Sequence, residues 1–432
     1  MPNGLQGSTK RSPENPMEWD KYNRDCWQTN YANLLDFFFS VVHNEPHSTK
    51  QHQHAVAWGL ESDDAMLAMT QDGRFNSALQ IDEPMYQNVQ CPGLLIVGDA
   101  DPINPPKGSH KIDDLTPSEI HLFPGGGHAV HARYPAWFNT QMRDFLALHL
   151  GIPKPVRQKK SCQPRVLYLS SPIGLGHARR DLAVTRELRA HHPDLQVDWL
   201  AQDPVTRFLD ANGETVHAAS RLLANKSAHI KAASGEHDLN AFQAIQSMDK
   251  ILIKNFMVFQ EVLEEETHDL VRANEAWGVN HFWHEHPELK QAQIAWLSNF
   301  VGWVPMPNGG LREAALTTGY NAKMIEHIER NPTLRDQAIF VGGSEDIVDL
   351  SFGDGLHRMR DWVPHHYECS HYVIGQHPSE FGTRAALREA FGYNDGQVTC
   401  IVSVGGSRVG ATLIARILAP TLWPNTAFPT SG

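Results

Sequence analysis

Residues 165–189 read RVLYLSSPIGLGHARRDLAVTRELR. The stretch opens on an unbroken apolar run, the pattern of a short strand covered on both faces, as in a parallel sheet. Gly174 and Gly176 then free the backbone to turn, and from about Arg179 to His191 the apolar positions return at helical spacing. A glycine loop at the carboxyl end of a first strand lets the backbone approach a ligand closely. The helix N-terminus behind it favours anionic oxygen. His177 stands at that turn.

Outward toward the C-terminus the alternation continues. LQVDWLA (195–201) reads as a second strand, and 241–273 as a long amphipathic stretch carrying Phe242, Ile245, Met248, Ile251, Leu252, Asn255 and Phe259. IAWLSNFVGWVP (294–305), AIFVGG (338–343) and HYVIGQ (371–376) are further strand candidates. TCIVSVGGSR (399–408) followed by VGATLIARILA (409–419) reads as another strand, glycine loop and helix, and residues 420–432 abandon the pattern. Alternation on this scale predicts an α/β protein with doubly wound parallel sheets.

Outward toward the N-terminus, GIPKPVRQKKSCQP (151–164) combines prolines with basic residues and reads as a linker. Before it, CPGLLIVGD (91–99) and EIHLFPGGGH (119–128) are two short strands, and PAWFNTQMRDFLALH (135–149) a helix. From Trp19 to about Met69 the spacing is helical, and residues 1–16 read as a flexible start.

Composition bounds the rest. The chain has 432 residues, 41% hydrophobic and 20% charged, a globular balance with room for two or three domains. Residues 1–150 hold ten Lys/Arg against eighteen Asp/Glu, and the net charge is -12. An acidic surface repels phosphate backbones, so no nucleic-acid partner is expected. Five scattered cysteines without CxxC spacing fit free thiols in a reducing compartment. Neither a secretory leader nor an apolar span is visible, so a cytoplasmic protein, with peripheral membrane contact left open, is expected.

GDADPINP (98–105) with GGGHAVH (125–131) resembles the late part of the α/β-hydrolase fold. The resemblance implies that Asp101 is the acid and His128 the base of a catalytic triad, with residues 17–70 as the lid. The base would take the nucleophile's proton while the carboxylate fixes its tautomer. No G-x-S-x-G elbow precedes residue 94, so residues 1–150 are expected to be a hydrolase part without its nucleophile.

YLSSPIGLGHARRDLAVTRELR (168–189), WHEHPELKQAQIAWLSNFVGWVPM (283–306) and CIVSVGGSRVGATLIARIL (400–418) together resemble GT-B glycosyltransferases. That resemblance implies a Rossmann-like N-terminal lobe over 165–395 and a truncated start of the C-terminal lobe over 396–432. It implies transfer of a hexose from a nucleotide-diphosphate sugar to an acceptor hydroxyl, small-molecule or lipid-linked, with no cofactor or metal. His177 would be the base that deprotonates the acceptor. Glu275 and Glu285 both stand as its acidic partner. Gly174, Gly176, Gly405, Gly406 and Ser407 would meet the donor phosphates. With so little of the second lobe present, donor binding is expected to be crippled and the chain to be an incomplete or inactive fragment.

Two other readings stay open. Gly174 and Gly176, with Asp198 at the end of the next strand, would suit an NAD-type dinucleotide enzyme, although Arg179 stands at the third glycine position and would crowd helix against strand. A non-enzymatic binding module is the other. His281, His284 and His286, or His365, His366, Cys369 and His371, lack the spacing of a metal motif, so no metal is expected.

Overall fold

A computed structural model describes residues 18–76, 83–153, 163–233, 241–375, 377–394, 396–403 and 411–418. The chain divides into two compact units, Met1–Lys154 and Pro155–Gly432. Their boundary falls in the basic, proline-containing stretch, most of which (154–162) lies outside the described residues.

In the first unit strand β1 (Gly93–Gly98) pairs in parallel with β2 (Ser118–Phe123). The helix Pro106–Asp113 connects them, and the helix Pro135–Leu150 follows. Gly98 is required where β1 ends, because a Cβ there would stand 2.2 Å from the carbonyl oxygen of Gly126. That close approach seats the loop after β1 against the glycine run after β2. Upstream lie three helices, Arg24–Val42, Thr49–Gly59 and Asp64–Asn76. The first starts at Asn23, whose side chain accepts from Cys26 N at 3.0 Å, satisfying an amide the helix cannot. Trp27, Leu34 and Ala68 form one small core, and Val42, Ile103 and Ala129 another. Both strands are largely half-exposed.

The second unit is built on six parallel strands: β3 (Arg165–Leu169), β4 (Gln196–Leu200), β5 (Leu270–Asn274), β6 (Gln293–Ser298), β7 (Gln337–Phe340) and β8 (Glu368–Cys369). Their order across the sheet is β4-β3-β5-β6-β7-β8. The chain therefore runs outward from β3 to β4, then crosses back to place β5 on the other flank of β3. The fold class expected from the sequence, α/β with parallel sheets of Rossmann-like kind, is what the structure has. Trp199, Trp283, Trp296, Tyr168, Phe256 and Phe259 are fully buried along the sheet and its helices. Each large side chain so buried contributes about 1.5–3 kcal/mol.

Three elements differ from expectation. The stretch 241–273 is two helices, Ala241–Gln246 and Asp249–Glu265, and then β5, whose five residues are too few to interrupt an amphipathic pattern visibly. Residues 371–375, read as a strand, form none; β8 ends before them, at the exposed sheet edge. Residues 399–403, read as a strand of a second lobe, are without secondary structure, with Ile401 87% exposed. An apolar run becomes a strand only beside another strand, and none among the described residues pairs with it. The helix Ala411–Leu418 is present, but Gly405, Gly406 and Ser407 lie outside the described residues.

Candidate functional site

Each unit sets a histidine singled out in the sequence, His128 or His177, against a carboxylate. In the first, Asp101 follows β1 and His128 follows β2, and the parallel pairing sets the two loops side by side. His128 Nδ1 lies 2.9 Å from Asp101 Oδ2. The other oxygen of Asp101 accepts from the backbone N–H groups of Ile103 (2.7 Å) and Asn104 (2.9 Å), which fixes the carboxylate. Asp101 is buried and His128 half-buried, so the ring can be approached from outside while its partner is shielded. Sequence reading did not single out the loop 43–48. There Glu45 Oε1 accepts from Gly127 N at 2.8 Å. His43 is held at a pKa of about 4 by burial and by the neighbouring His52, His131 and His128. A carboxylate-oriented imidazole of this kind can accept a proton from a hydroxyl or thiol.

In the second unit the order of strands decides the site. An open parallel sheet offers a crevice at the carboxyl ends of its strands where the winding direction reverses. Here that point lies between β3 and β5. The loop after β3 ends on Gly174, at φ 104°, and Gly176 lies in the first turn of the helix behind it; a Cβ on either glycine would meet nothing within 4 Å. The turn from loop to helix thus offers bare backbone to open space. His177 lies in the first turn of the helix Leu175–His191, and its side chain is 17% exposed. Glu275 follows β5 directly, in the left-handed region at φ 50°. That conformation costs a non-glycine residue on the order of 1 kcal/mol or more and is found where the surroundings hold it in place. Glu275 Oε2 stands 3.5 Å from His177 Nε2.

The other ring nitrogen is also engaged. Arg180 Nη2 donates toward His177 Nδ1 at 3.1 Å and to Asn274 Oδ1 at 2.7 Å. Asn274 in turn donates to Asp181 Oδ1 at 2.7 Å. Asp181 is fully buried and also accepts from Tyr168 Oη (2.9 Å) and Ser170 Oγ (2.6 Å). Burial raises its pKa, and these three hydrogen bonds oppose the rise. The chain of contacts ties β3, the helix and β5 to the ring of His177. A small cleft of about 50 Å³, partly open to solvent, adjoins the group on the side of Asn274 and Glu275. Ser170, Ser171, Glu275 and Lys226 are among the residues lining it.

Of the two acidic partners left open for His177, the geometry places Glu275 beside it. Glu285 is held instead by Lys323 at 2.7 Å. Two features of the dinucleotide reading are corrected. Asp198 lies mid-strand, opposite Leu167, with Arg165 Nε at 2.6 Å, and so is not at the carboxyl end of β4. Arg179 does not crowd the sheet, because it is exposed and Ala178 is the buried residue beside it. Asp198, Glu266 and His268 bring three potential metal-ligand atoms within 4.8 Å of one another. Arg165 already bridges the two carboxylates, at 2.6 Å from each. The guanidinium supplies the positive charge there. His284, one of the histidines weighed for metal, is buried with Nδ1 2.6 Å from Asn280 O, and burial, aided by Arg335, lowers its pKa to about 3.

The sequence matches no family model. It is 37% identical to the serine hydrolase BPHL of Mus musculus over 59 residues, 13% of this chain. The chain spans 20% of the length of that curated relative. Among solved structures it matches the Leishmania major tyrosyl-tRNA synthetase in complex with tyrosinol, at 11% identity, covering 47% of this chain and 42% of that one. The TM-score is 0.21. Part of the chain is thus similar to a serine hydrolase. Among the described residues no helix is long and apolar enough to cross a membrane.

Proposed function

We propose that the second unit is the acceptor-binding lobe of a sugar transferase. In this reading His177 deprotonates an acceptor hydroxyl that attacks the anomeric carbon of a nucleotide-diphosphate hexose. The observation that carries it is the approach of Glu275 to His177, at 3.5 Å, at the switch point of a parallel sheet. Glu275 would hold the Nε2 proton and stabilise the imidazolium, leaving Nδ1 to take the acceptor's proton once Arg180 gives way. Gly174 and Gly176 present backbone beside the same ring. The donor contacts expected of Gly405, Gly406 and Ser407 belong to this proposal as well, as does a small-molecule or lipid-linked acceptor.

The test is nucleotide release and hexose transfer from UDP- and dTDP-hexoses in the presence of alcohol acceptors. His177→Ala should lower turnover about 10²–10⁴-fold while nucleotide affinity persists. Unchanged turnover removes His177 from the reaction. NADH binding together with indifference to sugar nucleotides would favour the dinucleotide reading, for which the mid-strand position of Asp198 leaves no ribose acid.

A second reading concerns the first unit. The 2.9 Å contact of His128 with Asp101 and the similarity to a serine hydrolase favour descent from a triad hydrolase. On this reading the pair is an acid and base without a nucleophile on the chain before residue 94, and ester hydrolysis by this unit is not expected.

A further inference from the structure

The cleft at the switch point holds a cation that the transferase reading does not use. Lys226 lines it together with Glu275, Ser170 and Ser171. Its surroundings place it with some care. Lys226 N donates to Gln202 Oε1 at 2.9 Å, Ser227 Oγ to Pro172 O at 2.5 Å, and Ala224 N to Asn255 Oδ1 at 2.7 Å. The segment is therefore tied to the loop after β3, to the loop after β4 and to the helix Asp249–Glu265. Its ammonium, by contrast, has no hydrogen bond or ion pair among the described residues. Other cations of this unit have carboxylate partners: Arg165 has Asp198 and Glu266, and Lys323 has Glu285.

Lys226 is half-buried, and desolvation lowers its pKa to about 8, against the attraction of Glu275. Glu275 does not relieve it by contact, since its carboxylate faces His177 on one oxygen and Asn299 N, at 3.4 Å, on the other. An anionic oxygen group entering the cleft would complete the set, and a charge-assisted hydrogen bond to a lysine is the ordinary way to hold one.

We propose that Lys226 is the specificity-determining residue of this cleft, recognising a phosphate or carboxylate on a small-molecule acceptor whose hydroxyl faces His177. The inference rests on the transferase reading for the hydroxyl; the anion contact itself does not depend on turnover. An acceptor held at its charged end by Lys226 would have its orientation set before the hydroxyl meets the base.

Inorganic phosphate and acetate, titrated into the full chain and followed by calorimetry, are the probes, with glycerol as the neutral control. Phosphate or acetate should bind and glycerol should not. The stronger of the two anions identifies the group recognised. Lys226→Met should weaken anion binding about tenfold or more, as for loss of a charged hydrogen bond. Lys226→Arg and His177→Ala should stay within about threefold of the parent, showing that the charge, and an intact fold, are what matter. Anion binding indifferent to Lys226→Met, or absent from the parent chain, overturns the inference. If the parent chain transfers no hexose while Lys226→Met loses phosphate, the transferase reading falls and the anion site stands. If His177→Ala abolishes transfer and phosphate ignores Lys226, only the anion site falls.

Discussion

The two histidine–carboxylate pairs are assembled by different means. Asp101 and His128 sit on loops that follow neighbouring strands of one hairpin-sized parallel pair, and two backbone amides of the same loop fix the carboxylate. His177 and Glu275 follow strands that become neighbours only because the chain returns across β3 after building β4. Their contact is longer, 3.5 Å against 2.9 Å, and is braced by a buried network reaching Asp181. The first pair is a product of local chain geometry, the second of sheet order. The surrounding cores differ in the same sense. Four of the five residues of β3 are buried, whereas β1 buries one of six.

That contrast can be broken most directly at the core. Trp283 is fully buried, and its indole Nε1 donates to Gln260 Oε1 at 3.2 Å. Trp283→Ala should cost the second unit about 3–5 kcal/mol. Guanidinium unfolding followed by probes placed in each unit should show the second transition move and the first stay. Coincident movement of both would mean that the units do not unfold separately.

Acid should sharpen the contrast next. His284 and His327 are buried in the second unit, and burial lowers both pKa values, that of His284 to about 3. Both rings stay neutral in the fold and gain a proton on unfolding. Their contribution is complete above about pH 6.5 and is lost as pH falls toward the folded-state values. Each should steepen the loss by up to about 1.4 kcal/mol per pH unit. The first unit carries one such ring, His43, with a window from about 6.5 down to about 4. Denaturant midpoints between pH 6.5 and 5 should therefore fall faster for the second unit, and equal slopes would sink the assignment.

The smallest effect belongs to the first pair. Asp101→Ala leaves the amides of Ile103 and Asn104 without their acceptor and should cost the first unit about 1–3 kcal/mol. Amide exchange at those two residues should accelerate in the variant. Unaltered exchange would show that water replaces the carboxylate without loss.

Much of this arrangement was legible in the residues. The apolar run 165–169, the glycines at 174 and 176 and the following helix announce a strand, loop and helix. DADPINP with GGGH names Asp101 and His128, which the structure sets in contact. Other parts were not legible, for identifiable reasons. β5 is a five-residue strand merged into an amphipathic stretch, so the neighbour of β3 could not be named. Glu275 and Glu285 are equally placed along the chain, and only the left-handed turn after β5 brings Glu275 to the ring. Lys226 lies in a segment without a motif, and the hydrogen bonds that turn it into the cleft come from Gln202, Asn255 and Pro172. Apolar residues 399–403 had strand composition, but without a neighbouring strand the composition was insufficient.

The residues alone determined the α/β class, the two-part organisation and the members of one histidine–carboxylate contact, because periodicity and turn chemistry act over a few residues. Tertiary structure alone decided which carboxylate faces His177, that Asp198 is consumed by Arg165, and that Lys226 faces a cleft. Those outcomes depend on the order in which parallel strands lie side by side, and a strand carries in its own side chains no label for its neighbour.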